Sequence, residues 1–581
     1  MNRLFNIIKT AFPYCVFVLI MEITVLLSWI GHYPSKYKVA AVFMIPYVAI
    51  LIFSCIPFSR KIMDKLLQII KRGIQILISK IKNQNWIKNG IFILANLVVF
   101  VGLIIFMTPR KALFIYVIFF LVSFFVIYKD LLIEKVEIAV FLVILSVGAV
   151  YALTLPVSCG ISWDDESHFR SAVMISHIFD GRMSDADMDV LNQFAVTALE
   201  HDLYTEETHS EWVNYINQRY EDGAWVLAGR MKPTSSRWCY LPAALGLFIG
   251  RVFSLPYSTM FVLGRFLNLL AYAILVYLAI KKIKSGKMIL ASVALLPQCI
   301  FMAASYSRDP WMIGFIMLGF AYLIGEIQTP DKKLSMLDMC IIIGSFYIGI
   351  SPKAIYVPII LSALCMPKTK FKNEKQSRIY RVCVVVAALL LLASFAFPFI
   401  SSGGGGVQDS RGGAEVSAGS QTQFILSEPM KYADILLTFI GDYISLENAQ
   451  MNFSHMHYLG MGQYSLLIMI LLAVVTFTDR EECDKHIRAT LKITTLVMGF
   501  GAICLAATAM YIAFTPYMHP TILGCQYRYM IQIMFPTLFV LGCFPIENKI
   551  PKVYYRGVIL GVYSFVLLSN VWNLCISTFN L

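Results

Sequence analysis

Residues 258–280 of the chain read STMFVLGRFLNLLAYAILVYLAI. This continuous apolar run is long enough to cross a bilayer, since about 20 residues of helix span the hydrocarbon core. In lipid only helices and closed barrels satisfy every backbone polar group, so a run of this length predicts a transmembrane helix. Its two polar side chains, Arg265 and Asn268, are costly in lipid and are expected to bond to neighbouring protein segments.

Similar runs recur along the 581 residues, of which 58% are hydrophobic and 14% charged. A soluble domain has about 45–50% apolar and about 25% charged residues. The composition excludes a disordered, collagen-like or disulfide-scaffold protein. It predicts an all-α polytopic integral membrane protein with about 12 to 15 transmembrane helices. The apolar runs lie at 12–31, 38–58, 91–108, 112–128, 137–156, 258–280, 288–304, 310–327, 336–351, 354–366, 382–400, 463–478, 493–514, 529–545 and 557–578.

The basic residues predict the topology. The formal net charge is +13, and 25 of the 48 Lys and Arg residues lie in five segments. Placing these segments in the cytoplasm agrees with a cytoplasmic N-terminus and alternating spans, so the basic excess needs no nucleic-acid partner. Residues 59–90 are expected to form a basic amphipathic helix on the inner leaflet, the alternative being a plain cytoplasmic linker. The five basic segments are 59–90, 281–287, 368–381, 479–492 and 546–556.

The same topology places the polar segment 157–238 outside the cell membrane. It holds 14 acidic and six basic residues, and a long insertion among short loops is where function is expected. Residues 240–254 are too short to span and are predicted to form a juxtamembrane helix, and 401–432 a flexible loop. If the segment is external, Cys159 and Cys239 could form a disulfide. The predicted organisation is a four-helix addition at 1–136, a membrane core at 137–400 with its outer loop at 157–257, a Gly-rich loop and peripheral segment at 401–462, and C-terminal helices at 463–581.

The stretch ISWDDESHFRSAVMISHIFDGRM, residues 161–183, begins the outer segment with three adjacent carboxylates, Asp164, Asp165 and Glu166. If a helix starts here, Asp164 or Asp165 could cap its N-terminus. Three adjacent carboxylates also repel one another, and such crowding often serves a proton or a cation. At a membrane surface a carboxylate can act as a base toward an acceptor hydroxyl.

The motif Asp164, Asp165, His168, Phe169, Arg170, Ile175, Gly181 resembles the opening of a bacterial family of polytopic membrane proteins, domain of unknown function 2142, which is related to the GT-C superfamily of membrane glycosyltransferases. The resemblance covers roughly residues 140–545. Two departures are Glu166, where the family usually has Pro, and the inserted Cys525 and Gln526 before Tyr527. The further similar stretches, in order, are YLPAALGLFIGRVFSLP (240–256), VLGRFLNLL (262–270), ALLPQCIFMAASYSRDP (294–310), SPKAIYVPIILSALCMP (351–367) and GCQYRYMIQIMFP (524–536).

The resemblance implies transfer of a sugar from a polyprenyl-phosphate donor to a cell-envelope glycan, lipid or protein acceptor at the extracytoplasmic face. Asp164 would be the base, with Asp165 and Glu166 as alternates. A divalent cation, Mg²⁺ or Mn²⁺, held by Asp164, Asp165 and Asp309 is an open alternative. The remaining implied site residues are Asp309 as a second acidic site, Lys353, Arg528 and Arg308 for the donor phosphate, and His168, Arg170 and Arg251 in support.

Each of these assignments has a plainer alternative. Asp309 could pair only with the adjacent Arg308, and Lys353 could extend to the lipid headgroups. His455 and His457 would need a third ligand to hold a metal. For the whole chain, the alternatives to a glycosyltransferase are a transporter or flippase of lipid-linked oligosaccharide, which would concentrate charge at mid-membrane, and a membrane polysaccharide polymerase or ligase.

Overall fold

The computed structural model describes residues 86–178, 183–195, 206–221, 223–226, 235–401, 415–456, 464–542 and 546–578. The chain divides into two compact units, Met1–Val98 with Ile249–Leu255, and Val99–Phe248 with Pro256–Leu581. The predicted runs at 12–31 and 38–58, and residues 59–85 of the predicted inner-leaflet helix, lie outside the described residues.

Helices make up most of the described chain. The first part contains α1 (Trp86–Phe106), α2 (Pro109–Ile127), α3 (Leu131–Glu134), α4 (Val136–Thr154), α5 (Asp165–Ser176), α6 (Asp185–Ala195), α7 (Glu206–Ile216), α8 (Leu241–Val252), α9 (Tyr257–Lys282), α10 (Lys287–Ala294), α11 (Pro297–Ala303) and α12 (Asp309–Ile327). The second part contains α13 (Met336–Ile350), α14 (Val357–Ile360), α15 (Glu374–Ser401), α16 (Ala418–Ser427), α17 (Pro429–Tyr443), α18 (Leu446–Asn452), α19 (Ser465–Thr478), α20 (Ala489–Ala513), α21 (Ile531–Leu541) and α22 (Lys552–Val571).

Eight of the described helices are long and apolar enough to cross a membrane: α1, α2, α4, α9, α12, α15, α20 and α22. Helices α13 and α19 are shorter apolar helices. The fold class predicted from the apolar runs is therefore confirmed, and the chain is an all-α polytopic membrane protein. The count of about 12 to 15 spans stays a prediction, because residues 1–85 are not described.

Three of the predicted spans contain proline and form shorter segments, and one of them is divided at its proline, which lacks the N–H that continues a helix. The run 288–304 is divided into α10 and α11 immediately before Pro297. The run 354–366 consists of two short 3₁₀ segments, Ala354–Tyr356 and Leu361–Cys365, on either side of α14. In the run 529–545, α21 contains Pro536 and is only 11 residues long. The helices in these three segments are therefore shorter than the apolar runs from which the spans were predicted.

The predicted outer segment folds into small elements beside the bundle. Helices α5, α6 and α7 are joined by a short antiparallel pair, β1 (Met183–Ser184) and β2 (Trp225–Val226), and followed by a 3₁₀ turn, Ser235–Tyr240. Helix α8 has 12 residues, about 18 Å at 1.5 Å per residue, and is too short to span. This agrees with the predicted juxtamembrane helix.

One expectation for the polar segments is wrong, and one possibility that the sequence left open is not realised. Part of the loop predicted at 401–432 is helical, because Ser417 caps α16 by accepting a hydrogen bond from the Ser420 amide, and Phe424 packs against Tyr511. Cys159 and Cys239 are buried but remain free thiols, so they form no disulfide.

Ionic clusters lie where the spans end. Lys282, at the C-terminal end of α9, contacts Glu326 at 2.5 Å and Asp338 at 3.3 Å, which joins the end of α12 to the start of α13. Lys287 and Glu137 approach to 3.6 Å at the starts of α10 and α4. The opposite ends of α4, α9, α12 and α13 carry the group of residues described next.

Candidate functional site

The loop that follows α4 is fixed by a buried arginine of the neighbouring span. Arg265 of α9 donates hydrogen bonds to the carbonyl oxygens of Pro156 at 2.9 Å and Ser158 at 3.1 Å. This loop leads to Asp164, which has a left-handed backbone with φ of 53°. Such a conformation is uncommon for a non-glycine residue and often marks functional positions. Arg265 therefore holds the segment that presents Asp164.

Asn268, one turn further along α9, fixes a second loop. Its side-chain amide donates to the carbonyl oxygens of Ser305 at 2.9 Å and Ser307 at 3.1 Å. This loop ends in Arg308 and Asp309, the first residues at the start of α12. The prediction that Arg265 and Asn268 bond to neighbouring protein is confirmed, and their partners are the two loops that carry the acidic residues.

Arg528 joins these two loops through a buried ion-pair chain. Its guanidinium contacts Asp164 at 3.0 Å and Asp309 at 3.1 Å, and Lys353 contacts the other oxygen of Asp309 at 3.5 Å. The Arg528 side chain is 2% exposed and that of Asp309 is 0% exposed, whereas Asp164 is 25% exposed. We call these four residues the ionic chain. They come from four separate segments of the sequence.

Aromatic rings flank the cations of the ionic chain. The Arg528 guanidinium lies 5.2 Å from the centre of the Trp163 ring, and the Lys353 ammonium lies 4.2 Å from that of Tyr529. The Gln526 side chain accepts a hydrogen bond from Arg528 Nε at 2.5 Å. The inserted residues before Tyr527 therefore leave Arg528 within the site.

The geometry disagrees with three of the plainer alternatives. Asp164 occupies the N-cap position of α5, but its carboxylate makes no capping hydrogen bond and bonds to Arg528 instead. Asp309 pairs with Arg528 and Lys353, and no ion pair forms between Asp309 and Arg308. The Lys353 side chain is only 14% exposed, so it points into the protein and does not extend to headgroups.

Arg308 lies beside the ionic chain and forms no ion pair within 4 Å with the carboxylates of the described residues. Its Nε is buried and has no hydrogen-bond partner, and it is close enough to Asp309, Tyr240 and Tyr529 to interact with them electrostatically. His168 lies nearby and shares a 2.7 Å hydrogen bond with the Tyr240 hydroxyl. Burial and the charge of Arg308 lower the pKa of His168 to about 3, so its imidazole is neutral at physiological pH.

The other predicted site residues occupy different environments. Asp165 is fully buried, and the backbone of Tyr306 and Ser162 lies beside its carboxylate. Burial, partly offset by Arg265, raises the pKa of Asp165 to about 6. Glu166 is half-buried and Arg170 is exposed, and no ion pair forms between them. Arg251 lies in the last turn of α8, in the smaller compact unit.

The carboxylates do not fit a divalent cation. Within the described residues, no three His, Cys, Asp or Glu side chains are close enough to hold a metal ion. The guanidinium of Arg528 already lies between Asp164 and Asp309, and a cation there would be next to two further positive charges. His455 is described, but His457 lies outside the described residues.

A polar cavity of about 270 Å³ opens beside the ionic chain. Arg528 and Trp163 form one side of it, and Gln298, Asn452 and His455 form another. Sequence reasoning missed Trp163, Tyr529, Gln298 and Gln526. Their residue types are common in membrane proteins, and only the close approach of Arg528 distinguishes them.

Comparison with known proteins places the chain among membrane proteins. The sequence model of the family described as "Predicted membrane protein (DUF2142)" matches residues 145–536, more than half of the chain. No curated protein and no solved structure matches the chain.

Proposed function

The chain belongs to the DUF2142 family of predicted membrane proteins, and from that premise we propose that it is a membrane glycosyltransferase of the GT-C type. The proposed reaction transfers a sugar from a polyprenyl-phosphate donor to a cell-envelope glycan, lipid or protein acceptor. The observation that carries this proposal is the ionic chain together with Arg308. Three basic side chains meet two carboxylates there, and a phosphate bound beside them would favour the charged form of Lys353.

Arg308 and Lys353 are the proposed ligands of the donor phosphate. Arg308 has a buried Nε without a partner, and a guanidinium suits the oxygens of a phosphate. Lys353 contacts only one oxygen of Asp309, so its ammonium retains donors for a second acceptor. Because both cations lie in a largely buried site, they would stabilise the charge that develops on the departing phosphate.

Asp164 is the proposed base. Among the three adjacent carboxylates it is the one that belongs to the ionic chain and is also partly exposed. It would accept the proton of the acceptor hydroxyl as the oxygen of that hydroxyl bonds to the anomeric carbon of the sugar. The bond from that carbon to the phosphate oxygen breaks, and the polyprenyl phosphate leaves with the electron pair. Asp309, with 0% exposure, would position Arg528 and Lys353.

The proposed site faces the extracytoplasmic side. Lys282, Lys287 and Arg556 lie at the other ends of the same bundle, in segments that the positive-inside rule assigns to the cytoplasm. The site would then meet donor lipids of the outer leaflet.

The distribution of charge favours an enzyme over a transporter or flippase. Transporters place charged groups near the bilayer midplane, often on broken helices. In the described spans the charged residues lie near the helix ends, such as Glu137, Lys282, Asp309 and Glu326. Arg265 also reaches the loop at the end of α4.

The test compares Asp164→Asn with Glu166→Gln, a neighbouring carboxylate that makes no ion pair among the residues that the structure describes. Each variant is expressed in the native host lacking the wild-type gene, and the sugar composition of the surface glycans is measured at matched protein levels. Asp164→Asn is expected to abolish the transferred sugar, and Glu166→Gln to retain it. Unchanged surface glycans in the Asp164→Asn strain would refute the role of Asp164 as base.

A further inference from the structure

A polar trough leads away from the ionic chain. It consists of two adjoining cavities, of about 270 Å³ and about 410 Å³, which share Tyr443, Asn448 and Cys525 in their walls. The first begins at Arg528 and Trp163, and the second ends at Asp442 and Glu447. Pockets that bind small molecules have volumes of about 300–1,000 Å³, so the trough is of a suitable size for a ligand.

The walls of the trough offer hydrogen-bonding groups without charge. Gln298 is 2% exposed, and its amide nitrogen donates to the carbonyl oxygens of Asn452 at 2.5 Å and His455 at 2.9 Å. Its amide oxygen is thereby oriented as an acceptor. The amide oxygen of Gln526 accepts from Arg528, which leaves its NH₂ group as a donor. Neighbouring acceptors and donors of this kind suit hydroxyl groups, which both donate and accept.

Two aromatic rings add apolar surface beside these groups. Trp163 is 6% exposed and Tyr443 is 5% exposed, and both line the first cavity. The Tyr443 hydroxyl donates to the Gln526 carbonyl oxygen at 2.8 Å, so its ring is held in place. The Trp163 ring contacts Phe301 and the Arg528 guanidinium, and the Tyr443 ring stacks on Phe439, so the edges of the two rings offer apolar surface to the C–H groups of a sugar.

The far end of the trough is negatively charged. Asp442 and Glu447 are exposed, and neither forms an ion pair with another described residue. A phosphate is disfavoured there by like-charge repulsion, whereas the opposite end of the trough carries the positive charge of Arg528. Carboxylates can accept hydrogen bonds from hydroxyl groups.

We infer that the trough binds a neutral carbohydrate, the acceptor glycan of the reaction. This inference rests on the proposed function, because it identifies the substrate that meets Asp164. The acceptor would enter past Asp442 and Glu447, lie along Gln298 and Tyr443, and bring one hydroxyl toward Asp164 beside Arg528.

The test measures binding to the purified full-length protein in lipid nanodiscs by titration calorimetry. The sugar probes are three neutral trisaccharides, cellotriose, maltotriose and chitotriose, and the phosphate probe is farnesyl phosphate. The double variant Asp442→Asn, Glu447→Gln is compared with Asp434→Asn, an exposed aspartate on the same helix that lies outside the trough. These side chains are exposed and make no ion pair within the described part of the chain, so the variants are expected to fold.

At least one trisaccharide is expected to bind the wild type and Asp434→Asn equally, and the double variant about tenfold more weakly, equivalent to about 1.4 kcal/mol. Farnesyl phosphate should bind all three proteins alike. If no trisaccharide binds, or if the double variant binds as tightly as Asp434→Asn, the inference is wrong. Binding of farnesyl phosphate in that case would leave the proposed function intact, whereas its failure to bind would count against the donor site.

Discussion

Replacing Arg528 with methionine should destabilise the protein more than any single change at its surface. The substitution removes the guanidinium that joins Asp164 and Asp309, and methionine replaces the aliphatic part of the arginine side chain with an unbranched apolar one. Asp309 has 0% exposure, so its charge would lose its nearest partner while remaining out of water. Removing one member of a buried ion pair typically costs about 3–5 kcal/mol.

The expected decrease in the free energy of unfolding lies at the lower end of that range, about 3 kcal/mol, because Lys353 would still contact Asp309 at 3.5 Å. The pair with Asp164 should contribute about 1 kcal/mol or less, since that carboxylate is partly exposed. In the double variant with Asp309→Asn, no uncompensated carboxylate remains. The decrease in the free energy of unfolding of this double variant should therefore be smaller, by about 2 kcal/mol, than the sum of the decreases in the two single variants.

The free energies are measured by equilibrium unfolding in mixed detergent and SDS micelles. Arg170→Met is the matched control, because Arg170 is exposed and its replacement should change stability by less than about 0.5 kcal/mol. If Arg528→Met is as stable as this control, or if the losses in the double variant are additive, the ionic chain does not hold its four segments together.

Three further predictions concern individual residues of the larger compact unit, Val99–Phe248 with Pro256–Leu581. Burial, together with Arg528 and Arg308, lowers the pKa of Lys353 from 10.5 to about 7. Between these pH values the unfolded chain therefore binds more protons than the folded protein. The free energy of unfolding of the wild type, minus that of Lys353→Met, should rise as the pH increases from 7 to 10. A difference that does not change with pH would contradict the burial of Lys353. Burial raises the pKa of Asp165 from 3.8 to about 6, so wild-type stability should fall as pH rises through this window and Asp165→Asn should lose that dependence; the same pH profile in both proteins would contradict it. A Cβ at Gly246 would lie 2.7 Å from the Gly264 backbone, whereas a Cβ at Gly344 would have nothing within 4 Å. Gly246→Ala should therefore lower the melting temperature by several degrees, and Gly344→Ala should not. Equal melting temperatures of the two variants would show that α8 can move away from α9.

The membrane class and most spans could be predicted from the sequence, because lipid forces apolar residues into continuous runs. The run 258–280 corresponds to α9, and the run 493–514 to α20. The short segments could not be predicted in the same way. Hydropathy continues through Pro297, but the helix does not, because proline removes a backbone donor.

The candidate site was partly visible in the sequence. The family resemblance implies Asp164, Asp309, Lys353 and Arg528 as site residues, and the structure brings them within ion-pair distance. The sequence did not distinguish Asp164 from Asp165 and Glu166. That difference depends on burial, which turns Asp165 toward the interior and Asp164 toward Arg528.

The sequence by itself determined that this is a helical membrane protein with a carboxylate cluster at one face, because helix formation and insertion depend on local composition. Only the tertiary structure decided which charges meet. Asp164 and Arg528 are 364 residues apart in the chain, and their contact depends on how α4, α9 and α12 pack. Such a contact has no local signature, because ion pairs between distant segments form only after the helices that carry them have assembled.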